Sequence, residues 1–374
     1  MKKLLIASAV SAALAAPATA LAQARVPTLG QVLDASGISV SGYIDAAYSY
    51  ANRNIEATPL FRVFDAQNNS FGLHQFGLMV AKQPKQGFGG VVNLTVGSDA
   101  QVIHSFPEAT ASTFDLTQAY GQYAAGNLTL MAGKFVTLHG TEVIWSPSNP
   151  NFSHSILFGA IPFTHTGVRA SYTPSDTVTL YGGVNNGWDQ LIGANRGKTI
   201  ELGATLNPIK PLTLTVSGYF GSDSAVPPGV QTTPAGAQGT RNSLNAVANY
   251  IVSNAISVGG EILYVTQEDT ATGTAKYNGA AGYFTYMLNS QWRAVARLEM
   301  FDDKQNFHFA APGIAAGSGV KYAEATLALS YLPNGSAELR TEVRGDRANS
   351  AVFVDSSGAK KSLLTFAVQG IYKF

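Results

Sequence analysis

From about Ile38 to its last residue the chain alternates apolar and polar side chains with a period of two. On Phe88 to Val96, Phe88, Val92, Leu94 and Val96 share one face, while Gly89, Asn93 and Thr95 share the other. On Leu212 to Phe220, Leu212, Leu214, Val216 and Phe220 oppose Thr213, Thr215, Ser217 and Tyr219. Successive side chains of a strand point to opposite faces, so each stretch reads as a strand with one apolar and one polar side. Sixteen such segments are predicted: 38–50, 69–82, 88–98, 113–124, 127–137, 166–174, 177–187, 198–206, 211–221, 241–252, 255–267, 276–287, 290–302, 320–332, 336–347 and 362–374. Most are about ten to thirteen residues long. Strands of soluble domains average roughly five or six, whereas a tilted strand needs roughly nine to eleven to cross a bilayer.

The connections carry a second regularity. Short ones hold turn residues, as in Pro84-Lys85-Gln86-Gly87, Ala125-Gly126, Pro174-Ser175-Asp176, Asn207-Pro208, Ser253-Asn254, Leu288-Asn289 and Pro333-Asn334-Gly335. Between them come longer ones, at 51–68, 99–112, 138–165, 188–197, 222–240, 268–275, 303–319 and 348–361. Tight turns on one rim and long loops on the other are the pattern of an outer-membrane barrel. The fold expected is therefore all-β, a transmembrane antiparallel up-and-down β-barrel of about 16 strands, occupying residues 38–374.

Charge decides which face looks inward. An Arg or Lys on the lipid side near the midplane costs about 2–4 kcal/mol, so charged rows belong in the lumen. On 336–347, Glu338, Arg340, Glu342, Arg344 and Asp346 recur at every second residue. On 290–302, Arg293, Arg297 and Glu299 oppose Trp292, Ala294, Ala296, Leu298 and Met300, and Arg169, Glu201 and Glu261 fall on the polar faces of their strands. Two readings of these rows stand: charges that neutralise one another and brace the wall, or a ladder of fixed charge that orients solutes across a water-lined pore. Their near balance argues against strong ion selectivity.

Only 13% of the residues are charged, with 24 Lys and Arg against 23 Asp and Glu, and there is no Cys. Soluble domains carry roughly 25% charge. The absent basic excess removes nucleic acid as a partner, and the absent Cys removes disulfides and thiolate chemistry. Lys2 and Lys3, the apolar run Leu4 to Ala16 and the small residues Ala18 to Ala24 predict a secretory signal peptide over 1–22, with cleavage after Ala24 as the alternative. Residues 23–37 are then a short periplasmic segment, in which Thr28 is a candidate N-cap and Leu29, Val32 and Leu33 have helical spacing. The uncharged run Val143 to Val168 contains Pro147, Pro150 and Pro162 and reads as a loop rather than a membrane helix.

The connection 138–165 joins the fifth strand to the sixth and is the longest. An exposed loop has little use for Ile144, Trp145, Phe152, Ile156, Leu157 and Phe158, so this one is expected to fold into the barrel, with Glu142 and His154 as candidates for a constriction. The alternative is a loop folded over the mouth or against a neighbouring subunit. His139, His154 and His165 fit no short metal motif, and no metal or other cofactor is expected. His154-Ser155 with Asn149 or Asn151 is the one grouping of the kind used by an outer-membrane phospholipase, but sequence neighbours rarely place a base on its nucleophile, and no enzyme is expected. Asp65, Asp99, Asp302 and Asp303 near the rim are read as solvated loop carboxylates, with Ca²⁺ or lipopolysaccharide-bridging ions as the alternative. In the last strand Phe366, Val368, Gly370, Tyr372 and Phe374 share a face that ends in an aromatic C-terminus, similar to the signal read by the barrel assembly machinery.

Gly42-Tyr43-Ile44-Asp45, Asn69-Ser70-Phe71, Gly133-Lys134-Phe135, Gly140-Thr141-Glu142, Asn149-Pro150-Asn151-Phe152-Ser153 and His165-Thr166-Gly167-Val168-Arg169 stand in that order. With these the chain resembles the putative beta-barrel porin-2 family of Gram-negative outer membranes. The resemblance is concentrated in Gly42 to Tyr172 and implies a passive diffusion channel with no catalytic residues. The expected function is thus a porin passing small hydrophilic solutes. Two alternatives are a sugar-selective channel with Tyr181, Tyr219 and Tyr286 as a lumen-facing stacking track, and a non-conducting adhesin or anchor. Expected partners are outer-membrane lipids, lipopolysaccharide and, by analogy with general porins, two further copies in a homotrimer.

Overall fold

The computed structural model describes residues 28–53, 61–65, 67, 69–107, 112–222, 239–269, 273–315 and 317–374, so the predicted signal peptide and residues 23–27 lie outside it. The segment ahead of the barrel forms one short helix, α1 (Leu29–Ser36). Thr28 caps it as the spacing suggested: its hydroxyl accepts from Gln31 N while the Gln31 side chain accepts from Thr28 N, and Gly37 closes the other end in the left-handed region.

Sixteen strands close into a barrel. In chain order they are β1 (Ser39–Ala51), β2 (Ser70–Lys82), β3 (Gln86–Val96), β4 (Phe114–Ala125), β5 (Leu128–Val136), β6 (Thr164–Ser175), β7 (Val178–Asn185), β8 (Thr199–Ile209), β9 (Leu212–Ser222), β10 (Thr240–Ile251), β11 (Ile256–Asp269), β12 (Gly273–Met287), β13 (Trp292–Asp303), β14 (Val320–Asn334), β15 (Ala337–Ala348) and, after a small hairpin, β18 (Ser362–Lys373). Every neighbouring pair is antiparallel, and β1 seals against β18. The closure runs to the terminus, where Gly42 N donates to Phe374 O and Phe374 N to Gly42 O, both at 2.9 Å.

Three connections depart from expectation. β11 and β12 continue to Asp269 and from Gly273, so the long loop predicted over 268–275 is mostly an extended hairpin. The connection 349–361 carries the hairpin β16 (Phe353–Asp355) and β17 (Gly358–Lys360). After β3 the chain makes a one-turn helix, α2 (Ala100–Ile103).

Parity along the strands sorts the surface. On β13, Leu298 and Met300 are 66% and 72% exposed, while Arg297, Glu299 and Phe301 between them are buried. The outward positions Val168, Ile200, Leu202, Val216, Leu244, Ile262, Leu327 and Leu339 continue a belt of exposed apolar residues around the barrel. A monomer in water rarely exposes more than a few hundred Å² of contiguous apolar surface, so this belt is built for lipid. Among the described residues no helix is long and apolar enough to cross a membrane.

The buried apolar core lies on the other side of the wall. Phe61, Val63 and Phe64 from the first long connection meet Ile156, Leu157, Phe158 and Ile161 from the third. Phe301, Phe309, Tyr322 and Phe353 join the same cluster, and Phe61 packs at 4.9 Å from Tyr322 and 5.8 Å from both Phe309 and Phe353.

Candidate functional site

The strand register stacks the predicted charged residues in levels. Glu299 lies opposite Glu324, and Glu324 opposite Asp346, giving a carboxylate level across β13 to β15. Two residues along, Arg297 lies opposite Thr326, and Thr326 opposite Arg344. Two further on, Glu342 faces Ala328 on β14 and Ala367 on β18; beyond it Arg293 and Arg340 both flank Ser330. Like charges directly opposite one another destabilise a sheet. Here the Arg level relieves the acidic one: Arg297 Nη2 lies 2.6 Å from Glu324 Oε2, and Arg344 Nη2 lies 2.8 Å from Asp346 Oδ1. Arg340 and Arg293 both reach Glu338 Oε1, at 2.8 and 2.5 Å. Arg169 forms a two-pronged pair with Glu201 and lies over the Phe135 ring at 4.2 Å.

These side chains do not line open water as the sequence suggested. Of the predicted set only Arg293 retains appreciable exposure, 18% of its side chain. Six of the others, Glu261, Arg297, Glu299, Arg340, Glu342 and Arg344, bind the backbone of the connection between β5 and β6. Glu342 accepts from Phe152 N at 2.8 Å and Ser153 N at 3.0 Å. Glu299 accepts from Ile156 N and Leu157 N, both at 2.6 Å. Glu261 accepts from Thr141 N at 2.8 Å. The arginines take the carbonyls: Arg297 donates to Ser153 O at 2.7 Å, Arg340 to Asn151 O at 2.6 Å and Asn149 O at 2.8 Å, and Arg344 to His154 O at 2.5 Å. A buried loop without regular structure must find partners for its backbone polar groups. This one finds them on the strands, carboxylates for its N–H groups and guanidinium groups for its C=O groups.

Glu142 and His154 sit within that network. Glu142 Oε1 is 2.6 Å from Arg297 Nη1, and its Oε2 accepts from Ser155 N at 2.7 Å. Burial opposes its ionisation, but Arg297, then His154 and the Ser155 hydrogen bonds, outweigh burial and hold the carboxyl below its ordinary range. His154 bonds to Val143 O at 2.9 Å and Asn149 Nδ2 at 3.1 Å, and its ring lies against Phe158 and Phe64. Burial pulls its pKa down, only partly offset by Glu142, so the ring is neutral near pH 7. Ser155 Oγ instead accepts from Phe158 N at 3.0 Å, which leaves no His154 to Ser155 pair. His139, also lowered by burial, bridges Ser217 Oγ at 2.7 Å and Ser243 Oγ at 2.9 Å; His165 stacks on Tyr219 at 4.3 Å.

Several residues that hold the loop escaped the sequence reading. Asp45 accepts from Ser146 Oγ at 2.5 Å, Gln75 Nε2 donates to Ile144 O at 2.9 Å, and Trp145 Nε1 donates to Asn93 Oδ1 at 2.8 Å. Arg62, from the first long connection, reaches Asp65 and Asp346. Glu324 was legible by parity, since Tyr322, Glu324, Thr326 and Ser330 alternate with Ala323, Ala325, Leu327 and Leu329. Arg62 lies in a stretch without period and carries no such signal.

Two expectations are corrected. Tyr286 points outward and is 40% exposed, because on β12 the inward positions are Tyr277, Ala281 and Tyr283. Tyr219 is buried, its hydroxyl accepting from Leu138 N at 2.8 Å, which leaves only Tyr181 of the proposed stacking track half-buried on an inward face. The rim carboxylates are not uniformly solvated either. Asp99 is buried against His74 at 3.0 Å and Gln75 at 2.8 Å, and Asp65 is buried against Arg62. Asp303 accepts from Phe307, His308 and Phe309 N at 2.9, 2.9 and 3.0 Å, which shapes the connection after β13.

No curated protein sequence matches the chain. Among solved structures it is similar to the anion-selective porin from Comamonas acidovorans, with a TM-score of 0.64 and 11% identity over 90% of this chain and 99% of that one. OmpT of Vibrio cholerae in its trimer form gives 0.62 and 11%, covering 90% and 99%. The outer membrane channel DcaP of Acinetobacter baumannii gives 0.60 and 13%, covering 90% and 97%. At such identities the likeness is one of fold. Residues 37–374 match a family model in sequence, and by that match the chain belongs to the Putative beta-barrel porin-2, OmpL-like family.

Proposed function

We propose that the protein is an outer-membrane channel through which small hydrophilic solutes diffuse passively, and that the β5–β6 connection lies across its lumen and narrows it. The observation that carries this reading is the set of wall-to-loop hydrogen bonds, which join that one connection to β9, β11, β13 and β15. The passage would run along the inward faces of β6 to β9 toward the short turns. There the side chains are half-buried hydroxyls and amides such as Ser171, Thr179, Asn207, Thr213 and Thr215. Because the wall charges are spent on the loop, the passage discriminates weakly by charge. Swelling of proteoliposomes in a size series of neutral, cationic and anionic solutes tests this. The reading expects rates that fall with size and differ little with charge; no swelling with the smallest neutral solute would contradict it.

The signal peptide is removed after Ala22 or Ala24, and the terminal Phe374, its ring 6.3 Å from those of Phe76 and Tyr372 on the outward face, engages the assembly machinery. A homotrimer is supported by a recess of about 760 Å³ between Phe88, Tyr123, Leu130, Val168 and Val184, floored by Gly121, Ala132 and Gly182. Cross-linking in intact outer membranes tests it, with a three-copy band as the expected product.

A further inference from the structure

The first part of the β5–β6 connection has two faces. Buried His139, Glu142, Ile144 and Ser146 alternate with half-buried Leu138, Thr141, Val143 and Trp145, and Gly140, at φ +93°, marks the one place where the alternation skips. The buried set grips the wall. Outside the loop itself, the polar partners of residues 138–146 lie on β9, β10, β11 and β13 and then on β1, β2 and β3; among the described residues none lies on β4 to β8. The apolar side chains of the second face, Leu138, Val143 and Trp145, stay half-buried, and of these only the Trp145 indole N–H is tied, to Asn93 Oδ1 at 2.8 Å.

The strands that the loop leaves untied carry matching side chains. Tyr120 on β4, Met131 on β5 and Tyr181 on β7 are half-buried. Register fixes them on the inward side: Tyr120 lies opposite buried Val91, Met131 opposite Arg169, and Tyr181 opposite Ser171 and Gly203. Gly203 brings loop and wall together, since an added Cβ there would lie 3.0 Å from Leu138 Cδ1 and 3.4 Å from Tyr181 Cδ2. Tyr120 is steadied by Gln83, whose Nε2 donates to its hydroxyl at 3.2 Å. The buried charges of these strands pair off, Arg169 with Glu201 at 2.7 Å and Lys134 with Asp115 at 3.4 Å. Loop and wall together present two tyrosine rings, an indole, a thioether and two aliphatic side chains.

We propose that this side of the lumen is a binding site for small water-soluble solutes that carry an aromatic ring, the ring entering between Tyr120, Met131 and Tyr181 on the wall and Leu138, Val143 and Trp145 on the loop. The assignment rests on the channel reading above and names the solute class that the channel favours. Apolar surface left in water forfeits the stabilisation of burial, and a ring laid against it recovers that stabilisation. Tyrosine and tryptophan rings take another ring edge-on or offset, and a methionine sulfur adds a favourable contact at the ring edge. A sugar of similar size gains less here, because Leu138, Val143 and Met131 offer its hydroxyls neither the donors nor the acceptors they leave behind in water.

The test uses the full folded chain in proteoliposomes and compares swelling in phenylalanine, in the dipeptide glycylserine, which has the same zwitterionic charge and nearly the same size, and in glucose. Wild-type protein should admit phenylalanine roughly three- to tenfold faster than the other two, the ratio that one or two ring contacts supply. The double variant Trp145→Gln, Tyr181→Thr, in which Gln can still donate to Asn93, should bring the three rates together. Tyr172→Leu, which removes a ring from the outward face, should leave the wild-type ratio unchanged. Equal wild-type rates for phenylalanine and glycylserine, an equal advantage for glucose, or a ratio undiminished in a double variant that keeps heat-modifiable migration would overturn the assignment; the wild-type comparison decides by itself if the double variant does not fold. A barrel that passes all three solutes alike refutes only the ring site, whereas one that passes none of them refutes the channel.

Discussion

Glu142 and Arg297 meet at 2.6 Å, a loop carboxylate on a strand guanidinium that also holds Glu324 at 2.6 Å and Ser153 O at 2.7 Å. Arg297 is fully buried, so its charge is tolerable only because these partners surround it. Removing it leaves Glu142 without its ion-pair partner and Glu324 with only Arg344, 3.7 Å away. Arg297→Met is expected to lower stability by about 3–5 kcal/mol, measured by urea unfolding of the refolded barrel, whereas Arg297→Lys should recover part of the loss. An unfolding midpoint equal to wild type would show that the pair contributes nothing net.

Gly133 explains one of the motifs that carried the family resemblance. Its φ is +136°, and an added Cβ would lie 2.2 Å from Ala119 O, a backbone atom that cannot move aside. Gly133→Ala should therefore reduce the yield of heat-modifiable barrel severely. Gly87 has a φ of +91° in open space, so Gly87→Ala should cost only about 1 kcal/mol, the backbone strain alone. Similar yields from the two variants would contradict the steric account.

Acid should loosen the β5–β6 connection. His154 and His139 are held below the ordinary histidine value, and His308, in the connection after β13, is lowered to about 3, each chiefly by burial. Freed from the fold, each would take a proton below about pH 6.5. Their contribution to docking is thus complete above about 6.5 and lost progressively as pH falls toward the folded values. Glu142, also held low, adds a second loss below about pH 4.5, since its stabilisation disappears as pH falls through its folded pKa. Protease protection of the connection should decline between about pH 7 and pH 4, less so in the double variant His154→Gln, His308→Gln. Protection independent of pH would contradict this.

Phe61 binds the first long connection to the others through Phe309, Tyr322 and Phe353. Phe61→Ala removes a buried ring whose loss in a packed core costs about 3–5 kcal/mol. Because the strands carry their own ladders, the loss should appear as faster proteolysis of the long connections with heat-modifiable migration retained. Loss of the barrel itself would place Phe61 in the folding of the wall instead.

The wall was legible in the sequence because it obeys a period. β9, predicted over 211–221, runs Leu212–Ser222, and Glu338 to Asp346 keep their alternation on β15. The period fails where both faces are small or both are polar. Gly279-Ala280-Ala281-Gly282 on β12 conceals which parity is inward, so the pattern alone does not show that Tyr283, and not Tyr286 three residues on, is the inward one. The polar, Gly-containing stretch from Gln267 to Gly273 has turn composition yet continues the ladder on both sides, with Gln267 paired to Ala275. The attachments of the β5–β6 connection were beyond sequence. Nothing local to His139 points to Ser217 and Ser243, and nothing near Arg62 points to Asp346, since closing the barrel is what brings them together.

The central claim is a conducting barrel narrowed by the β5–β6 connection, and single-channel recording in planar bilayers tests it most directly. Wild-type protein should give discrete conductance steps, and deletion of residues 142–158 should raise their size while heat-modifiable migration is kept. A folded wild type that never conducts, or a folded deletion variant with unchanged steps, would contradict it.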